Sequence, residues 1–424
     1  MPPPGLIVSA PSSGAGKTTV TLGLLAALGA AGAKLGPDYI DPGFHRAASG
    51  RPSRNLDPWA MRPGLLAALV HEAGAGADLV IAEGAMGLFD GAEHPGASGH
   101  GGTAELARLT GWPVLLVVAA DGMAQSVAAL VQGFARFDPA VRVAGVILNR
   151  VASLRHERLL RGALTDIPVL GAIPRDKGLA LPSRHLGLVQ AEEAPDLAAF
   201  VAHAAQVARD HCDLAAIRAL ARPTTIGPGP APALLPPPGQ RVAVASDIAF
   251  RFAYPHLLEG WRRLGAEILP FSPLADQAPA ADADAVYLPG GYPELHAGRL
   301  AAAATFLAGL ARVPVVYGEC GGYMVLGRGL IDADGTRHAM AGLLPVETSF
   351  ARRRLHLGYR LATSTAATPF GPAGQAFRAH EFHYASVVSG DGVDPAFRLA
   401  DGSGVGARAG AVFGSFLHLI DMAS

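Results

Sequence analysis

Leu6-Ile7-Val8-Ser9-Ala10-Pro11-Ser12-Ser13-Gly14-Ala15-Gly16-Lys17-Thr18-Thr19 decides the fold of the first half of this chain. A short apolar run enters a segment of small residues, which leads into an alanine- and leucine-rich helical pattern over 18–28. Small residues let successive backbone N–H groups converge on phosphate oxygens at a helix N-terminus. The Lys-Thr pair adds a cation for the β- and γ-phosphates and a hydroxyl for magnesium. Gly14, Gly16, Lys17, Thr18 and Thr19 therefore read as a nucleotide-phosphate loop, with Ala10 where such loops carry their first glycine. A glycine-rich turn with no ligand is the plain alternative. The ordered Gly-x-Gly-Lys-Thr-Thr between strand and helix argues against it.

Working outward, Leu79-Val80-Ile81, Val114-Leu115-Leu116-Val117-Val118 and Val143-Ala144-Gly145-Val146-Ile147-Leu148 each read as a strand buried on both faces. Helical patterns such as 123–137 separate them, the rhythm of a parallel sheet flanked by helices. The stretch 223–240 is too rich in Pro and Gly for a helix or a central strand and reads as a linker. Strand patterns resume at Val242-Ala243-Val244-Ala245, Ala285-Val286-Tyr287-Leu288 and Val313-Pro314-Val315-Val316-Tyr317, and antiparallel strands are expected after about residue 343. The expectation is an α/β protein of two domains, 1–222 and 241–424.

Of the 424 residues, 50% are hydrophobic and 16% charged, and the net charge is −1. That balance gives no electrostatic case for nucleic acid or an anionic membrane, and no apolar run is long enough to span a bilayer. Two cysteines, Cys212 and Cys320, make no disulfide framework and fit a reducing cytoplasm. Cys212 reads as a small buried hydrophobe.

Two acidic segments accompany the phosphate loop. Gly36-Pro37-Asp38-Tyr39-Ile40-Asp41-Pro42 sets two carboxylates three apart in a Pro-bounded loop. Glu83-Gly84-Ala85-Met86-Gly87-Leu88-Phe89-Asp90-Gly91 starts at the C-terminal end of a strand, where α/β sheets bind ligands. Asp41 and Glu83 are the preferred partners of Thr18 for Mg²⁺. In the second half, Val315-Val316-Tyr317-Gly318-Glu319-Cys320-Gly321-Gly322 is a strand running into a Gly-flanked nucleophile and a helix start. The sharp turn exposes the side chain, and the helix N-terminus is expected to lower the thiol pKa. The backbone N–H groups of Gly291, within Leu288-Pro289-Gly290-Gly291-Tyr292-Pro293-Glu294, and of Gly321 suit an oxyanion hole, and His418 offers a base.

Together these segments resemble the cobyrinic acid a,c-diamide synthase family of cobalamin biosynthesis, including its hydrogenobyrinic acid branch. Gly145-Val146-Ile147-Leu148-Asn149-Arg150, Leu181-Pro182-Ser183-Arg184-His185-Leu186-Gly187-Leu188 and His380-Glu381-Phe382-His383-Tyr384 extend the resemblance over nearly the whole chain. It implies a dethiobiotin-synthetase-like P-loop domain followed by a class I glutamine amidotransferase domain. By motif match, Thr18, Asp41 and Glu83 take magnesium, and Asp38, Tyr39, Ile40 and Asp90 handle the corrinoid. Asn149 and Arg150 meet adenine, and Cys320 and His418 are nucleophile and base. No third acid of the triad is evident. Also implied are ATP as cosubstrate, glutamine and a corrinoid as partners, and compatibility with a homodimer. Cobyric acid synthase and a P-loop regulator with an inactive amidotransferase module are the rival readings. One departure stands out: the family carries a further turn and a strand before Gly36, whereas here only eight residues, 28–35, lie there.

Overall fold

The computed structural model describes residues 3–181, 183–184, 187–229, 232–390 and 392–423. The chain divides into two compact units, Met1–Pro232 and Ala233–Ser424.

The first unit is built on a parallel seven-stranded sheet. Its strands in chain order are β1 (Gly5–Ser9), β2 (Ala31–Leu35), β3 (Arg54–Leu56), β4 (Val80–Glu83), β5 (Val114–Ala119), β6 (Val143–Val151) and β7 (Val169–Pro174), and in space they run β3-β2-β4-β1-β5-β6-β7. Leu6, Ile7, Val8, Ile81, Leu115 and Leu116 are wholly buried, as strands covered by helices on both faces must be. β1 lies between β4 and β5, and the order reverses around it, so the loops leaving β1 and β4 open at a switch point. Helix α1 (Lys17–Leu28) begins directly from the phosphate loop. The helical pattern over 123–137 is realised as Val127–Phe137, because tight turns with Val127 N–H on the Ala124 carbonyl and Ala128 N–H on that of Gln125 occupy the segment before it.

The strand before Gly36 is present. Gly29 ends α1 in the left-handed region, its N–H bonded to the Leu25 carbonyl, and Ala30 N–H bonds the same oxygen. This Schellman-like exit turns the chain in two residues, and β2 begins at Ala31, pairing with β3 and β4. The shortened connection thus keeps the Asp38–Asp41 loop beside β4. Of the Leu181–Leu188 motif, Pro182, His185 and Leu186 lie outside the described residues.

The second unit has a six-stranded sheet in the order Glu267–Phe271, Arg241–Ala245, Ala285–Leu288, Val315–Glu319, Val412–Ser415, Ala407–Ala409. All neighbours are parallel except the last pair. Val286, Leu288, Val316, Phe306 and Leu326 form its core. The tail contributes the expected antiparallel strands, among them His356–Ser364, Ala376–His383 and Leu417–Met422. No helix of the described residues is long and apolar enough to cross a membrane.

Candidate active sites

In the first unit the loop after β1 and the ends of β2 and β4 converge. Thr18 Oγ1 donates to Glu83 Oε1 at 2.6 Å, and Lys17 Nζ donates to the Met86 carbonyl at 2.6 Å. Asp41 opens helix α2 (Asp41–Ser49). Asp38 Oδ1 accepts the N–H groups of Ile40 (2.8 Å) and Asp41 (2.9 Å), so this carboxylate shapes the loop. Ile40 is buried, Tyr39 half-buried, and Asp90 exposed with one oxygen accepting Gly87 N–H at 2.7 Å. On the other side Asn149 Nδ2 donates to the Ala15 carbonyl and Arg150 to that of Gly14. A cavity of about 160 Å³ is lined by Gly16, Thr19, Asn149, Arg150, Ile173 and Pro174. Thr18, Asp41 and Glu83 offer one hydroxyl and two carboxylates, the hard oxygen donors that suit Mg²⁺.

The centre of this cluster is a residue the sequence reading passed over. Lys34 Nζ sits 2.5 Å from Asp41 Oδ2, 3.1 Å from Glu83 Oε1 and 3.6 Å from Asp38 Oδ2, with Lys34 and Glu83 almost wholly buried. Burial alone would lower the Lys34 pKa, but Asp41, Glu83 and Asp38 more than reverse this and hold it above the ordinary lysine value. Burial would raise Glu83, yet Lys34, His45 and Thr18 pull it well below the usual carboxylate range. Asp41 is pushed up by burial and by the charges of Asp38 and Glu83, against Lys34. Lys17 is lowered by burial and by the Lys34 charge. His45 completes the set, Nε2 at 2.8 Å from Glu83 Oε2 and Nδ1 at 3.2 Å from Ser53 Oγ. The overlooked signal was compositional. The chain has three lysines among 34 basic residues, and two of them stand here, where arginine's fork would not serve as a compact point charge.

In the second unit Cys320 follows the strand Val315–Glu319 and precedes the helix Gly321–Leu326, with φ +46° and ψ −103°, a strained turn of the nucleophile-elbow kind. Its N–H bonds the Ser415 carbonyl at 2.8 Å, tying it to the segment that leads into His418. Gly322 is required here, since a Cβ there would lie 2.0 Å from the Leu288 carbonyl oxygen. A Cβ on Gly290 would lie 3.2 Å from Cys320 Cβ and 3.0 Å from His418 Nε2, so the expected nucleophile and base face one spot beside the Gly290-Gly291 turn. Gly291 N lies 3.0 Å from the Cβ position of Gly321, bringing the two expected oxyanion donors together.

The expectation of a lowered thiol pKa is corrected. Burial, Glu294, Glu319 and Glu381 push the Cys320 thiol above its ordinary value, and the Gly321 N–H offsets them only in part. A six-residue helix cannot outweigh desolvation and three carboxylates. Burial, His380 and His383 push His418 down to about 3, so the resting pair is neutral thiol and neutral imidazole. Nearby, His356, Glu381 and His383 have ligand atoms within 4.8 Å of one another. Glu381 is engaged by Arg360 and His383, His383 also bonds the Ala385 carbonyl, and His356 stacks its ring on that of His383, so contacts within the protein account for the group.

Residues 6–189 match the CobQ/CobB/MinD/ParA nucleotide binding domain, and residues 241–423 the CobB/CobQ-like glutamine amidotransferase domain. The chain is 56% identical to the hydrogenobyrinate a,c-diamide synthase of Brucella suis biovar 1, over 98% of both chains. It is 54% identical to that of Rhodobacter capsulatus, over 99% of both, and 54% identical to that of Rhizobium meliloti, over 98% of this chain and 99% of the relative. The chain belongs to the hydrogenobyrinate a,c-diamide synthase family. Within a member of this family the two clusters fall one in each matched domain. Gly290→Ala then makes a sharp local test, because the added methyl would meet His418 Cε1 at 2.3 Å. Glutamine-driven turnover is expected to fall about 100-fold through displacement of the His418 ring, with ammonium-driven turnover kept, as steady-state assays with the two nitrogen donors would measure.

Proposed function

We propose that this chain uses ATP and glutamine to convert the a and c side-chain carboxylates of hydrogenobyrinic acid to amides. The observation that carries this reading is the likeness to relatives of that name over 98% of both chains, which spans both clusters. In residues 1–222 a substrate carboxylate oxygen attacks the γ-phosphorus, the β–γ bridging bond breaks, and ADP leaves an acyl phosphate. Carboxylates are inert to ammonia, so this activation is the purpose of the nucleotide. Lys17, Lys34 and the loop amides neutralise charge on the transferring phosphoryl group. Asn149 and Arg150 border the adenine, and the loops of Asp38–Asp41 and Glu83–Asp90 take the substrate. Thr18 and Glu83, with Asp41, would hold Mg²⁺, which supplies further neutralisation of the phosphates.

In residues 241–424 His418 Nε2 takes the Cys320 proton as the thiolate attacks the glutamine amide carbon, and the N–H groups of Gly291 and Gly321 receive the oxyanion. His418 returns the proton to the departing ammonia, and water hydrolyses the thioester to glutamate. Ammonia then displaces phosphate from the acyl phosphate. ATP dependence and free thiols fit a cytoplasmic enzyme. Incubation with MgATP, glutamine and either hydrogenobyrinic or cobyrinic acid tests the substrate. Two amidations of the metal-free acid, seen by mass spectrometry, are expected. Turnover of neither acid would sink the proposal, and turnover of cobyrinic acid alone would move it to the cobalt-bearing substrate.

A further inference from the structure

Beside the nucleophile the mechanism leaves a buried ionisable group unused. Glu319, the residue before the nucleophile, is 1% exposed, and its carboxylate accepts from Tyr287 OH and Tyr317 OH, both at 2.7 Å, and from Leu419 N–H at 3.0 Å. Its Oε2 lies 3.6 Å from His418 Nδ1, and both side chains are 1% exposed. Two tyrosines and an amide would be served as well by a glutamine. A buried carboxylate without a lysine or arginine partner among the described residues calls for a reason to carry charge. On the His418 strand the adjacent residues Leu417, Leu419 and Ile420 are apolar, and its acid, Asp421, stands three residues on, opposite Arg378 in register.

We infer that Glu319 is the positioning acid of the ammonia site, facing His418 Nδ1 so that Nε2 is the nitrogen that takes the Cys320 proton. This rests on the proposed glutaminase chemistry and assigns its third member. With Nδ1–H directed at Glu319, Nε2 presents its lone pair toward the thiol. When the Sγ–H proton moves to Nε2, the charges created are a thiolate and an imidazolium, and Glu319 stays ionised to balance the latter. The 3.6 Å separation is longer than a hydrogen bond, and catalytic contacts often tighten only in the complex with substrate. The other groups facing the base are His380, its register partner on Ala376–His383, and His383, both of which disfavour the imidazolium. Glu294 and Glu381 face the thiol, and Tyr254 stands behind Tyr287. The Phe252 backbone also bonds the His418 ring, and its carbonyl can hold a tautomer but brings no full charge. Burial raises Glu319 to about 7, with Tyr287, Leu419 N–H and Tyr317 opposing that rise.

The test is steady-state kinetics on the full chain with glutamine and with ammonium chloride as nitrogen donors. Glu319→Gln is expected to lower kcat for glutamine hydrolysis about 100-fold or more, leave KM for glutamine within about threefold, and leave ammonium-driven amidation intact. Tyr317→Phe removes one donor to the carboxylate, so Glu319 holds its proton to higher pH. Activity requires the ionised form and fails as pH falls through this pKa, so the acid limb of kcat should move upward by about half a unit or more. A Glu319→Gln enzyme within threefold of wild type, while Cys320→Ser is inactive, would overturn the inference and leave the proposed function standing; the Phe252 carbonyl would then suffice. Glutamine hydrolysis by Cys320→Ser would instead overturn the proposed function. Should Glu319→Gln fail to fold, Tyr317→Phe decides: a shifted limb supports the role, and an unmoved limb overturns it.

Discussion

Replacing Cys320 with serine is expected to reduce glutamine-driven amidation about 1,000-fold or more while ammonium-driven amidation stays near wild type. The reasoning is atomic. The resting site holds a neutral thiol beside a neutral imidazole, and sulfur remains nucleophilic under these conditions where a serine hydroxyl does not. The strained backbone at Cys320, φ +46°, accepts serine at no greater cost, so the fold should persist. A 1,000-fold loss corresponds to about 4 kcal/mol of transition-state stabilisation. The ATP cluster lies wholly in the other unit and loses nothing, so external ammonia should still reach the acyl phosphate. Loss of both activities would contradict the division of labour.

The second large effect is expected at Lys34. Lys34→Met removes the cation that Asp41, Glu83 and Asp38 share and leaves buried carboxylates uncompensated. Breaking such a cluster costs about 3–5 kcal/mol at neutral pH, readable in urea melts of the first unit. The sign with pH follows from Glu83, whose carboxyl is held below its ordinary value in the folded chain. Its contribution is present above the unfolded carboxyl pKa of about 4.3 and fades as pH falls below that, so the gap between wild type and variant should narrow on acidification. ATP-dependent amidation should be lost with either nitrogen donor, whereas glutamine hydrolysis at Cys320 should survive. A variant melting like wild type at pH 7 would refute the central place given to Lys34.

Four strands of the first unit's sheet, β1, β4, β5 and β6, were legible because they are continuous apolar runs, whereas β3 and β7 were not named, and Gly14–Thr19 marks the phosphate loop by residue type alone. β2 was not legible. Ala31-Gly32-Ala33-Lys34-Leu35 has neither β-branched residues nor alternation, and it becomes a strand because β3 and β4 pair with it on either side. Lys34 and His45 were missed because their roles appear only once the fold is formed: Lys34 meets Asp41 and Asp38 only when β2 ends beside their loop, and both residues meet Glu83, 49 and 38 positions away. Cys320 was announced by its glycines, and His418 by its place near the end of the chain together with the resemblance. The thiol's raised pKa was hidden, because it depends first on burial in the folded chain and then on Glu294 and Glu381 arriving from distant segments. Glu319 was in plain view beside the nucleophile, but only the fold brings it to His418 Nδ1.

The central claim is that ATP activates a carboxylate in one unit and ammonia released at Cys320 displaces the phosphate. Hydrogenobyrinic acid labelled with ¹⁸O in its side-chain carboxylates, turned over with MgATP and [amide-¹⁵N]glutamine, tests it directly. One ¹⁸O should appear in inorganic phosphate and one ¹⁵N in the product for each amide formed. Unlabelled phosphate accompanying ¹⁵N-amide formation would contradict the acyl phosphate, and amide lacking ¹⁵N would contradict the role of Cys320.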